Sequence, residues 1–151
     1  VDIGSSFLPG EIIAAFLWAQ MEKATEITRR RLDVWDAYNA AFADAEKQGR
    51  ARRPVVPEYC VHNAHMYYLL LPDNRARDKF IARAKDDGIG AIFHYIPLHS
   101  SAAGARFGRA HGQLSNTDDL SGRIVRLPLW VGVEPHIEYI IDRMLSSLNS
   151  I

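Results

Sequence analysis

Two groups of side chains in this sequence could do chemistry. Gly4-Ser5-Ser6 stands just ahead of Pro9, where a helix is expected to begin. Hydroxyls and free backbone N–H groups at a helix start make a seat for phosphate. Ser5 or Ser6 as an ordinary helix cap is the plainer reading. The second group is His62, His65, His94 and His99, with Tyr67, Tyr68 and Tyr95 nearby. The run Phe93-His94-Tyr95-Ile96-Pro97-Leu98-His99 puts His94, Tyr95 and His99 at a strand end that enters a loop. Polar groups often converge on a ligand in such places. Packed, hydrogen-bonded structural histidines are the alternative.

Other chemistries find little footing. His62 and His65 open a strand, where a three-residue step points to opposite faces, and no Cys or carboxylate completes a metal set; no metal is expected. There is no G-x-S-x-G elbow, and Cys60 lies in a polar connector without a base. Gly104 and Gly108 do not follow a strand–turn–helix plan, so a dinucleotide or P-loop site is not expected. The four lysines, Lys23, Lys47, Lys79 and Lys85, sit on helical patterns, where a solvated amine stays protonated and is a poor nucleophile.

Eighteen basic side chains balance eighteen acidic ones over 151 residues. No long-range field draws the chain to nucleic acid or an anionic membrane. Arg29-Arg30-Arg31 is the one dense basic run, and a solvated helix face accounts for it. A single cysteine fits a reducing, cytoplasmic compartment. No secretory signal is visible, and the apolar run Ile12 to Ala19 is too short to cross a bilayer. The sequence opens on Val1 without Met, so a piece of a longer polypeptide is expected.

These groups need elements to position them. Pro9 to about Lys47 reads as one helix, with Ile13, Leu17, Ala24, Ile27, Val34, Tyr38 and Ala41 in a stripe and Ile12, Phe16 and Ala19 in a second. Unbroken, it would run ~55–60 Å. Its first turns are apolar nearly all round and need a partner, so dimerisation is expected. Gln48-Gly49-Arg50 ends it, and Pro54 and Pro57 mark a connector. His65–Leu71 reads as a buried strand, Arg75–Asp87 as a helix, Ile89–Ile96 as a second strand, and 99–116 as a long loop. Thr117-Asp118-Asp119 caps a short helix reaching Ile124 or Val125, Leu127–Val131 is a third strand, and Glu134-Pro135 opens a terminal helix with Ile137, Ile140, Ile141 and Met144 inward. The sum is an α+β fold, a long N-terminal helix (1–48) and a small three-stranded layer covered by helices on one face (49–151).

Five segments in collinear order resemble the DegT-type sugar aminotransferases, enzymes of pyridoxal-phosphate fold type I. They are Asp2–Gln20 (opening DIGSSF), Arg30–Tyr38, Cys60–Leu69, Gly88–Gly108 (with FHYIPLH) and Arg123–Trp130 (RIVRLPLW). The resemblance implies the small C-terminal domain of such an enzyme, pyridoxal 5'-phosphate as its cofactor, glutamate and a nucleotide sugar as substrates, and a homodimer. It implies work in lipopolysaccharide or other cell-surface polysaccharide synthesis. Most of the family carries Asn where Ser6 stands; Ser6, with Ser5, is then implied to reach the cofactor phosphate of the neighbouring subunit. Tyr95 matches a tyrosine beside the cofactor and sugar, His94 and His99 flank it as substrate contacts, and His65 matches a small-domain histidine of unassigned role. The Schiff-base lysine of the family lies upstream of these segments, so this stretch alone is expected to be inactive. The branch matched most nearly acts at the C4 ketone of dTDP-linked 6-deoxy sugars. Another nucleotide sugar, a cyclitol, or a non-catalytic dimerising or nucleotide-sugar-binding domain are the alternatives.

Overall fold

A computed structural model describes residues 8–151; Ser5 and Ser6 lie outside them. Helices α1 (Glu11–Glu22), α2 (Ala24–Ala41) and α3 (Ala43–Lys47) occupy the stretch expected to be one helix. The breaks fall at Lys23 and Phe42, which leave helical geometry at ψ 8 and ψ 5. At the first, the Lys23 N–H bonds Gln20 O at 3.1 Å, one residue short of its helical acceptor. No residue of α1 is buried, so no packing holds that turn in register. From α2 onward the path is anchored: Val34, Trp35, Tyr38, Phe42 and Ala45 are buried on one face. The inward stripe therefore includes Trp35 and Phe42, whereas Ala41 is only half-buried.

Strands β1 (Tyr67–Leu70), β2 (Ile92–Phe93) and β3 (Ile124–Leu127) form an antiparallel sheet in the order β1-β3-β2. Tyr67 pairs with Leu127 and Leu69 with Val125; all four are buried. The period of two sends Tyr68, Arg126 and Ile92, which are in register, to the opposite face. Arg52 bridges Leu70 and so extends the β1 edge by one residue.

Two strands depart from the sequence reading. The second shrinks from Ile89–Ile96 to two residues because Tyr95 has φ 65, which no β-strand residue adopts. The third lies ahead of Pro128, at 124–127 instead of 127–131; Pro128 has no N–H to donate and Gly132 turns the chain with φ 113. The preceding helix α6 (Ser115–Arg123) accordingly starts ahead of Thr117 and stops short of the expected Ile124 or Val125. The expected loop over 99–116 holds a 3-10 turn (Leu98–Ser100) and helix α5 (Ala102–Phe107), whose first turn is capped by Ser101 Oγ accepting from Gly104 N at 3.0 Å. Gly104 is sterically required: a Cβ there would lie 1.6 Å from the Leu98 carbonyl oxygen.

Helices α4 (Asn74–Asp86) and α7 (Ile137–Leu148) supply the rest of the core. Asp73 Oδ1 accepts from Ala76 N at 2.7 Å and caps α4. Ala76, Phe80 and Ala84 then recur every four residues on its buried face, and Ile140, Met144 and Leu148 do the same on α7. Asp87 locks the two ends together, accepting from Arg143 Nη2 at 2.6 Å while its carbonyl accepts from Tyr139 at 3.1 Å. At the centre Tyr67 meets Trp35, Tyr38 and Phe42 with ring centroids 5.1–6.1 Å apart. Tyr38 donates to Pro128 O at 2.9 Å, so the long-helix region, β1 and the end of β3 share one core. Among the described residues no helix is long and apolar enough to cross a membrane.

Candidate functional site

The helices cover one face of the sheet, and the other face carries the polar cluster. Ile92 lies on that open face, and His94, two residues on, extends the same row past the strand end. His94 Nδ1 is enclosed without a hydrogen-bond partner. Its ring stands 4.4 Å from that of Tyr95, tilted by 41°. Enclosure pushes the His94 imidazolium towards giving up its proton, and the charge of Arg126 and the proximity of His65 push the same way. Tyr95 is 68% exposed, and the Arg126 guanidinium carbon lies 5.9 Å from its ring centre.

The left-handed backbone at Tyr95 costs a residue with a Cβ ~1–2 kcal/mol. Among the described residues only Ala64 shares this non-glycine conformation, with φ 49. Ala64 is buried, and Arg31 fixes it: Nε donates to Ala64 O at 3.0 Å and an Nη to His65 O at 2.5 Å. The triplet read as a solvated face thus contributes Arg31 to the backbone just before β1. Arg30, its neighbour, pairs with Glu134 at 2.6 Å. Held this way, His65 lines a recess of about 280 Å³ on the open face with Ile92, Arg126 and Trp130. His62 is elsewhere, edge-on to Trp35 at 4.7 Å.

His99 faces another direction. Its Nε2 lies 3.0 Å from Asp118 Oδ1, tying the 3-10 turn to α6. It lines a wider cleft of about 730 Å³ with Arg109, His111 and Thr117. The structure thus brings His94 and Tyr95 together and sets His99 into a separate wall. Arg126 and Trp130 escaped the sequence reading, although the alternation in Val125-Arg126-Leu127 marks Arg126 as the outward residue of its strand.

No described lysine is placed to hold an aldehyde coenzyme. Lys23 and Lys47 are exposed beside Glu26 and Asp44 at 4.0 and 2.8 Å, and Lys79 and Lys85 are exposed on α4. A coenzyme-holding amine is activated by enclosure or a nearby cation, and none of these four is enclosed. The residues described here therefore do not fit the reactive end of pyridoxal phosphate. Nor do the described residues group three or more His, Cys, Asp or Glu around a possible metal position.

The described residues form a small antiparallel layer backed by helices, with His65, His94 and Tyr95 towards its bare face. The chain belongs to the DegT/DnrJ/EryC1/StrS aminotransferase family, whose pattern matches residues 3–145. It is 28% identical over 134 residues to an uncharacterized protein of Methanocaldococcus jannaschii, covering 86% of this chain and 34% of that one. It is also 28% identical over 143 residues to dTDP-3-amino-3,4,6-trideoxy-alpha-D-glucose transaminase of Micromonospora megalomicea, covering 86% and 37%. The fold is shared with Helicobacter pylori PseC, an aminotransferase involved in the biosynthesis of pseudoaminic acid: TM-score 0.81 and 19% identity over 100% of this chain and 40% of that one. The chain spans about a third of the length of the curated relatives it matches.

Proposed function

We propose that this chain is the sugar-side portion of a pyridoxal-phosphate-dependent aminotransferase that moves an amino group from glutamate to a ketone of a nucleotide-linked sugar. The observation that carries this reading is the family match running almost end to end through a chain that lacks a usable amine. When bound to the whole enzyme, the coenzyme supplies the electron sink for the transfer. The residues of this chain bind and orient. Tyr95 and His94 form one wall of the sugar site, His99 contacts the substrate from a separate wall, and Ser5 and Ser6 donate to the coenzyme phosphate.

The opening DIGSSF and the FHYIPLH segment resemble those of dTDP-4-amino-4,6-dideoxygalactose transaminases, so the proposed acceptor is the C4 ketone of a dTDP-linked 6-deoxy sugar. A relative named for a dTDP-linked amino sugar supports the nucleotide. Turnover of C3- and C4-ketosugars on dTDP, UDP and GDP by the lysine-bearing enzyme tests it; preference for another nucleotide or position would reject the dTDP C4 assignment. The 151-residue chain alone gives no turnover. A coenzyme absorption band in the purified chain that borohydride erases would contradict that.

The proposed assembly is a homodimer. Ile12, Phe16, Trp18 and Met21 of α1 are all more than 60% exposed, a larger apolar surface than a lone copy usually leaves wet. Sedimentation as a stable monomer would reject this part.

A further inference from the structure

Trp130 stands half-exposed at the rim of the open-face recess, on a turn that follows β3. Its carbonyl accepts from Val133 N at 3.3 Å, and the third residue of that turn, Gly132, has φ 113. The indole lies against this glycine: a Cβ added there would stand 3.6 Å from Trp130 Nε1. The position of the ring therefore follows that of Gly132. Gly132 is in turn held by a carboxylate, its N–H donating to Glu134 Oε2 at 2.6 Å. The other oxygen, Oε1, accepts from Arg30 Nε at 2.7 Å and lies 2.6 Å from Arg30 Nη2. One carboxylate thus divides its oxygens between the turn and α2, 104 positions away in the chain. Its own N–H, Arg30 and Gly132 hold the Glu134 carboxyl below the usual range, so the bridge is charged at neutral pH. Both side chains are about a third exposed, and an ion pair so placed adds little to stability. What it fixes is where the turn sits.

The rest of the rim is braced from the same helix. Arg31, the next residue along α2, bonds the carbonyls of Ala64 and His65, and Tyr38 donates to Pro128 O. His65, Pro128 and Trp130 all line the recess. Three side chains of one helix therefore set three points of its wall. Of the three, Arg30 is the one whose reach ends, through Glu134, on a ring with a face open to a ligand.

We propose that Arg30 and Glu134 are positioning residues, which hold the Trp130 indole where a bound substrate meets it. Neither touches the reacting atoms; each acts through the ring. This rests on the aminotransferase reading only in taking the ligand to be one of that enzyme's substrates.

The protein has three tryptophans, so Trp130→Phe assigns the Trp130 indole N–H resonance. In Arg30→Gln and Glu134→Ala that signal should shift, and the Gly132 amide should exchange with solvent about tenfold faster. The Trp35 signal and the melting temperature should stay with the parent, and Arg30→Lys, which keeps a charge for Oε1, should recover part of the effect. In the lysine-bearing enzyme, KM for glutamate or for the ketosugar should rise about fivefold in Arg30→Gln and Glu134→Ala, with kcat changed by less than about twofold. Trp130→Ala should raise the same KM, and Glu134→Ala added to it should do nothing more, because the pair acts through the ring. Multiplied effects in the double variant, a KM unmoved by Trp130→Ala, or a Gly132 amide unmoved by Arg30→Gln would overturn the proposal. Should Arg30→Gln fail to fold, Glu134→Gln, which removes only the charge, carries the same test. Absence of amino transfer would reject the functional reading, and the Trp130 signal with the Gly132 exchange would still decide the positioning.

Discussion

Arg31 on α2 donates to the carbonyl oxygen of His65 at 2.5 Å, joining two residues 34 positions apart. That bond is exposed, whereas its companion to Ala64 O is half-buried, and hydrogen bonds to a charged group contribute ~1.5–3 kcal/mol. Here the second bond, to Ala64, also secures a backbone conformation that a Cβ-bearing residue resists. Arg31→Ala should therefore destabilise the fold by about 2–3 kcal/mol in urea denaturation. Arg31→Lys should recover less than half, since an ammonium cannot fork to two carbonyls. Equal stability of the lysine variant and the parent would show that the fork does not matter.

Tyr38 and Tyr67 touch ring to ring but differ at their hydroxyls. Tyr38 donates to Pro128 O, while the Tyr67 hydroxyl is enclosed without a partner. Burial drives both phenols well above their usual ionisation range. Tyr38→Phe should cost about 1 kcal/mol, and Tyr67→Phe should be neutral or stabilising by up to ~1 kcal/mol. Thermal denaturation of the two single variants decides it, and a comparable loss in both would mean that Tyr67 finds a partner in solution.

Tyr95→Gly removes a conformational penalty of ~1–2 kcal/mol together with an exposed ring. Stability should stay within about 1 kcal/mol of the parent. In the proposed enzyme, turnover should fall at least tenfold, because the ring is the part of that wall nearest His94. A variant that is both stable and fully active would remove Tyr95 from the site.

His94 sets a pH dependence. Its folded pKa is lowered, first by enclosure, then by Arg126 and His65. The unfolded chain then binds more protons, so the stability due to neutral His94 is complete above about 6.5, the ordinary histidine value. It is lost as the pH falls below that value, down to the lowered folded pKa. His94→Gln should flatten this part of the stability curve, measured by urea midpoints between pH 5 and 8.

The fold was legible where one physical rule dominated. Phe80 on α4 and Ile140 and Met144 on α7 announce their faces by spacing alone, and Asp73 announces its helix by its capping position. Strand limits were not, because they turn on single residues acting against pattern. Tyr95 ends β2 by its left-handed backbone in the middle of an aromatic, strand-like run, and Pro128 ends β3 four residues short of the hydrophobic stretch it interrupts. The pairing of His94 with Tyr95 could be read from their neighbourhood in the chain. The role of Arg31 could not, since its partners lie more than 30 positions away, and Arg126 was marked as outward only by the alternation of its own strand.

The turn at Lys23 separates α1, none of whose residues is buried, from α2, which carries Arg31 and the aromatic core. Whatever body α1 seats against would thus be joined to the histidine recess through one articulated elbow. Motion of that body would pull on the same rod that steadies His65, and ligand capture could be felt at a distance as a change in its tilt.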